Sequence, residues 1–154
     1  MATSSTAQTE ALGEALGALL NAGDVVVLTG DLGAGKTHLA KGVARALGTS
    51  GTITSPTFNI ALVHTGGRLV LNHLDLYRID RADQLDDIDY FGTIESGGVT
   101  LVEWGDRFSE VLDLADLEVT LTVVDDDARS VAFRALSERG AALVSALTES
   151  APRG

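Results

Sequence analysis

Eight consecutive residues, Gly30-Asp31-Leu32-Gly33-Ala34-Gly35-Lys36-Thr37, constrain this chain more than any other feature. They follow the apolar run Val25-Val26-Val27-Leu28 and precede a helical pattern from Lys36 to Leu47. A strand, a glycine-rich turn and a helix in that order are the context a G-x-x-x-x-G-K-T phosphate-binding loop needs. The glycines permit positive φ and keep Cβ atoms out of the way of a phosphate. Successive backbone N–H groups can then point into one concavity, to which the helix start adds its unpaired N–H groups and positive dipole end. Lys36, one of two lysines in the chain with Lys41, is expected to reach the β- and γ-phosphates. The Thr37 hydroxyl is expected to ligate Mg²⁺. The implied ligand is a nucleoside triphosphate with Mg²⁺, and the implied chemistry is hydrolysis.

Bulk properties narrow the class. A length of 154 residues with 45% apolar content suggests one globular domain, 1–154, with short loose ends at about 1–5 and 150–154. Cysteine is absent, so there is neither a disulfide framework nor a thiolate metal site. That fits a reducing cytoplasm. No apolar stretch approaches membrane-spanning length, and the polar start Met1 to Thr6 is unlike a secretory signal. The formal net charge of −11 disfavours direct binding to a phosphate backbone, and no run of Lys and Arg offsets it. Solubility and a basic protein partner fit that charge better.

The apolar spacing predicts a helix over Thr9–Leu20, a turn at 21–24, a buried parallel strand at Val25–Thr29 and a helix over Lys36–Leu47 closed by Gly48. Thr49–Pro56 reads as a polar loop. Phe58–His64 and Arg68–Leu74 read as strands around Thr65-Gly66-Gly67. Asp80–Phe91 is acidic and weakly helical, and Val99–Val102 is a short strand. Leu117–Val124 and Ser130–Ala135 pair across Asp125-Asp126-Asp127, and Gly140–Leu147 is the last helix. The pattern is α/β: a P-loop-type three-layer fold with a mixed parallel and antiparallel sheet flanked by helices.

A phosphate loop alone does not make a hydrolase. The metal needs a further oxygen ligand or a carboxylate that orders its waters, and such an acid lies at a strand end near the loop. Two acids fit. Val99-Thr100-Leu101-Val102 runs into Glu103, and Leu69 to Leu74 runs into Asp75. Spacing does not decide which serves the metal and which the water. His73, within an apolar run, reads as structural.

Four motifs in order resemble the TsaE (YjeE) family, the ATPase component of bacterial tRNA threonylcarbamoyladenosine (t6A) biosynthesis. They are Gly30–Thr37 as GDLGAGKT, Ser55–Phe58 as SPTF, His73–Arg78 as HLDLYR and Leu101–Trp104 as LVEW. The leader Thr9-Glu10-Ala11-Leu12-Gly13 is similar to the family's N-terminal helix. The resemblance implies ATP and Mg²⁺ as ligands, with the metal held by Thr37 and Glu103. It implies catalytic roles for Lys36, Asp75 and Glu103, with Asp75 positioning the attacking water. Asp31, Leu32, Gly33, Ala34, Gly35, Lys36 and Thr37 would cradle the phosphates. Trp104 would pack near the base or sugar, while the N-terminal segment (Thr6 or Thr9, the latter preferred) and Arg129 would complete the pocket. Ser55–Phe58 would form a switch-like loop near the γ-phosphate. The implied partners are TsaD and TsaB, with tRNA contacted indirectly through that complex and no membrane. One departure is His38, where the family commonly has a second threonine.

Competing readings leave marks that are missing. A GTPase would carry an N/T-K-x-D guanine motif, and neither lysine lies in one. A small-molecule kinase would need an arginine-rich lid, whereas Arg78, Arg81 and Arg107 are scattered. A non-enzymatic nucleotide-bound scaffold would show no turnover even with its partners.

Overall fold

The computed structural model describes residues 1–31, 33–49 and 60–150. Its elements run Ala2–Thr3 (β1), Thr6–Leu19 (α1), Val25–Thr29 (β2), Lys36–Leu47 (α2), Ala61–His64 (β3), Leu71–Asp75 (β4), Gln84–Asp87 (α3), Tyr90–Glu95 (α4) and Val99–Glu103 (β5). A 3-10 turn at Gly105–Arg107 follows, then Ser109–Asp113 (α5), Leu117–Val123 (β6), Arg129–Ala135 (β7) and Glu138–Ser150 (α6). Among the described residues the strands form one seven-stranded sheet in the order β1-β7-β6-β2-β5-β4-β3. β6, β2, β5 and β4 are parallel neighbours, and β1, β7 and β3 join antiparallel. The expected mixed sheet is therefore present.

The parallel strands read as nearly unbroken apolar runs because both faces are covered. On one face Val26, Leu28, Leu101 and Val119 share a core with Leu16 of α1, Leu39 and Val43 of α2, and Leu143 of α6. On the other, Val25, Val27, Leu74 and Val102 pack with Leu85, Tyr90 and Val111. α1 and α2 approach closely enough to need glycine at the crossing. A Cβ on Gly42 would lie 1.9 Å from the Glu10 carbonyl oxygen, and one on Gly13 would lie 2.2 Å from that of Leu39.

Several boundaries depart from the sequence expectation. α1 begins at Thr6 because Ser5 caps it, its hydroxyl accepting from Gln8 N at 3.1 Å while Gln8 Oε1 accepts from Ser4 N at 2.7 Å. This near-capping-box satisfies donors that apolar spacing does not register. The 1–5 end, expected to be loose, holds β1, which pairs Ala2 with Ser130 and Thr3 with Arg129. β4 starts at Leu71 and not Arg68, because Arg68 is drawn out of the sheet. Its N–H donates to Leu47 O at 2.9 Å and its Nη2 to Gly17 O and Leu20 O at 2.7 and 3.0 Å. These bonds satisfy helix-terminal carbonyls. The acidic 80–91 stretch divides into α3 and α4 at Asp89, whose φ is 53°. α6 begins before Gly140, where the Ser137 hydroxyl accepts from Gly140 N at 3.1 Å.

The register matters most at the carboxyl ends. Glu103 of β5 stands beside Leu28 of β2, and Asp75 of β4 stands beside Glu103. Both acids thus end strands at the edge from which the phosphate loop departs.

Candidate functional site

The loop after β2 turns on Gly30, Gly33 and Gly35, with φ of 153°, 79° and 103°. Gly30 also needs the space: a Cβ there would lie 2.6 Å from Leu121 O. Gly35 is the N-cap of α2 and brings no side-chain acceptor to the helix start. The first N–H groups of α2 are left for an outside acceptor, the arrangement an anion requires.

A cavity of about 370 Å³ opens over this helix start. Its floor is Gly33, Ala34, Gly35, Lys36, Thr37 and His38, and Asp75, Glu103, Trp104, Thr6 and Arg129 form the walls. Asp75 and Glu103 are both nearly inaccessible to solvent as residues, yet both line it. Lys36 is buried too; its Nζ donates to Gly30 O at 2.6 Å and lies 3.8 Å from the centre of the Trp104 ring. Burial pushes the Lys36 ammonium below its ordinary pKa, opposed by the negative charges of Glu103, Asp75, Asp106 and Asp31. A desolvated cation of this kind gains from an incoming anion.

Three contacts shape the acidic wall. Glu103 Oε2 is 2.6 Å from His73 Nε2, and both side chains are buried. Asp75 Oδ1 accepts from Tyr77 N at 2.9 Å. Trp104 adopts φ 62°, a left-handed conformation costly for a bulky residue, and its ring stands 5.2 Å from that of Tyr77. Arg107 ties this corner together, its Nη2 donating to the carbonyls of Leu76, Tyr77 and Ile79 at 2.5, 3.0 and 3.0 Å.

Arg129 braces the loop from the other side. Its Nε donates to Ala34 O at 3.1 Å and its Nη2 to Gly33 O at 3.3 Å, while Nη1 donates to the carbonyls of Asp125 and Ala128. The guanidinium links the phosphate loop to the β6–β7 turn, and the same side chain lines the cavity.

The structure therefore gathers Gly33, Ala34, Gly35, Lys36, Thr37, Asp75, Glu103, Trp104 and Arg129 around one space. Two of the expected residues are placed elsewhere. Thr9 is one layer behind, its Oγ1 at 2.8 Å from Thr3 Oγ1 and 3.3 Å from Ser5 O; Thr6 takes the lining position. Thr6 is the other of the two positions that the resemblance allows. Asp31 is exposed and borders a second cleft with Gly30, Ala34 and Thr120–Val123. Leu32 and the SPTF residues Ser55–Phe58 lie outside the described residues. His73 is buried, as its apolar neighbours suggest, and its contact with Glu103 is a matter of strand register.

The residues fit a triphosphate with a divalent cation: a glycine turn, the desolvated Lys36, the Thr37 hydroxyl at the helix start and two carboxylates. No helix among the described residues is long and apolar enough to cross a membrane.

Comparison with known proteins gives the family and the fold. The family model for "Threonylcarbamoyl adenosine biosynthesis protein TsaE" matches residues 3–131. The chain is 37% identical over 132 residues to the tRNA threonylcarbamoyladenosine biosynthesis protein TsaE of Bacillus subtilis (strain 168), covering 86% of this chain and 82% of that protein. It is 43% identical over 137 residues to the protein of the same name from Streptomyces coelicolor, covering 84% and 92% respectively. The crystal structure of Bacillus subtilis YdiB superposes with a TM-score of 0.79 at 32% identity, over 97% of this chain and 93% of that one.

Proposed function

The chain belongs to the TsaE family of threonylcarbamoyl adenosine biosynthesis proteins, and from that premise we propose that it binds and hydrolyses ATP with Mg²⁺ in t6A37 modification of tRNA. The observation that carries the reading is the convergence of Lys36, Thr37, Asp75 and Glu103 on one cavity at the start of α2.

Each group has a task. The glycine loop and the α2 N-terminus offer backbone N–H groups to the phosphate oxygens. Lys36 exchanges its contact with Gly30 O for the β- and γ-phosphates, where its charge counters the negative charge of the transition state. Thr37 and Glu103 would hold Mg²⁺, which when bound supplies positive charge to the β- and γ-oxygens. Asp75 accepts a hydrogen bond from the attacking water and orients it in line with the γ-phosphorus. The water oxygen bonds to that phosphorus as the bond to the bridging oxygen breaks, giving ADP, phosphate and a proton. Trp104, whose ring centre lies 3.8 Å from Lys36 Nζ, would pack against the bound nucleotide.

Hydrolysis is favoured over transfer to a small-molecule acceptor because three of the arginines that could form a lid hold other partners. Arg107 and Arg129 are committed to backbone carbonyls, and Arg81 pairs with Asp83 at 3.1 Å. We further propose that turnover is weak in the isolated chain and set by TsaD and TsaB. Those partners would carry the tRNA contacts in the cytoplasm, in keeping with the acidic balance of this chain. Lys36→Ala and Glu103→Ala test the reading: each should abolish ATP hydrolysis measured as phosphate release with TsaD and TsaB present. Wild-type rates in both variants would overturn it.

A further inference from the structure

Resting on the Mg²⁺-ATP reading above, we propose that His73 is a positioning residue: it holds the Glu103 carboxylate in the orientation that binds the metal, through the bond from His73 Nε2 to Glu103 Oε2.

The bond is 2.6 Å long and the His73 side chain is wholly buried, so solvent does not compete for it. A carboxylate only accepts, so Nε2 carries the hydrogen and donates. Nδ1 has no hydrogen-bond partner among the described residues. The ring is thus not a link in a longer polar chain; its one polar engagement is with Glu103. His73 and Glu103 are held at a constant offset by the parallel β4–β5 ladder, which pairs His73 with Leu101 and Asp75 with Glu103. A glutamate has three side-chain torsions, and a strand end restrains none of them beyond the first. Binding one oxygen to a buried, rigid ring removes that freedom and leaves the other oxygen for a ligand in the cavity. His73 itself does not line that cavity among the described residues, so it acts through Glu103.

Outer partners of this type change metal affinity by about 10- to 100-fold when removed. The test measures ATP affinity by calorimetry, once with Mg²⁺ and once with EDTA, on wild type, His73→Leu, His73→Gln, Glu103→Gln and the double variant His73→Leu/Glu103→Gln. The tightening that Mg²⁺ brings is the readout, and it needs no turnover. His73→Leu should reduce that tightening about tenfold or more while leaving Mg²⁺-free affinity unchanged. His73→Gln keeps an N–H donor at a comparable reach and should restore much of it, which a role in packing alone does not predict. In the Glu103→Gln background His73→Leu should have little further effect, since both changes remove one unit. Undiminished tightening in His73→Leu overturns the proposal, as does additivity in the double variant. If wild-type affinity does not respond to Mg²⁺ at all, the metal reading itself falls, a result distinct from either.

Discussion

Replacing Gly42 by alanine tests whether the α1–α2 crossing is set by backbone contact. A Cβ at this position would lie 1.9 Å from Glu10 O and 2.8 Å from Glu14 N, against a floor of 3.0 Å for real Cβ atoms. Both partners are backbone, so no side-chain rotation relieves the clash, and the helices must part locally by about 1 Å. A gap of that size forfeits a quarter to a half of the dispersion well of each atom pair it opens. Leu16, Leu39 and Val43, all buried in the same core, lose part of their contacts. Overpacking of this kind costs about 1–3 kcal/mol. Alanine is a better helix former than glycine by about 1 kcal/mol, which offsets part of the cost. The expected net loss is about 1 kcal/mol and at most about 2 kcal/mol, or a Tm drop of up to roughly 8 °C for a domain of this size. Urea unfolding followed by circular dichroism, with calorimetry for Tm, measures it. Gly13→Ala, whose Cβ would meet Leu39 O at 2.2 Å, should cost a similar amount. The double variant should cost less than the sum, because one separation relieves both clashes. Stability equal to or above wild type in Gly42→Ala would mean that propensity governs this position and would refute the argument.

Two further outcomes are expected. The Tyr90 hydroxyl is buried without a hydrogen-bond partner among the described residues, and burial raises its pKa above the ordinary tyrosine value of 10.0. The folded state therefore binds a proton that the unfolded state releases above about pH 10, so this group's stabilising contribution is present below that pH and lost as pH rises. Tyr90→Phe should be neutral or stabilising at pH 7 and should flatten the loss of stability above pH 10, read from denaturant melts across pH. Arg129→Ala removes the donors that hold Gly33 and Ala34 carbonyls, and ATP affinity by calorimetry should weaken about tenfold, roughly 1.4 kcal/mol. Arg129→Lys should not restore it, because an ammonium cannot span carbonyls that a planar fork reaches together; unchanged affinity in either variant would count against the brace.

The sequence made the phosphate loop, its strand and helix, and the two strand-end acids legible because each depends on local pattern. A glycine spacing, an apolar run and an acid directly after it carry their meaning within a few residues. Other features depended on partners far along the chain. Arg68 leaves its strand for carbonyls of Gly17 and Leu20, and β1 exists only because β7 offers an edge. The 3-10 turn and α5 after Trp104 are too short to show a period. The loosely matching leader leaves Thr6 and Thr9 both open, and Thr6 is the one that lines the cavity. His73 looks like core by composition and is core by burial; its polar bond to Glu103 follows from strand register, which no local motif encodes.

The rung that sets Asp75 beside Glu103 has a consequence for how this architecture tolerates change. Adjacent strands are held about 4.8 Å apart by their ladder, so the spacing of the two acids is a backbone property. Of the 23 positions between β4 and β5, numbered 76–98, Leu76 extends the ladder at this rung, its N–H donating to Glu103 O at 2.9 Å, and most of the excursion lies beyond it. Its exposed positions could vary while the acids keep their separation, provided Leu76, Ile79, Leu85 and Tyr90 still cover the sheet and a donor like Arg107 still anchors its first turn. Variation there can alter recognition of other molecules while leaving the reacting groups where they are.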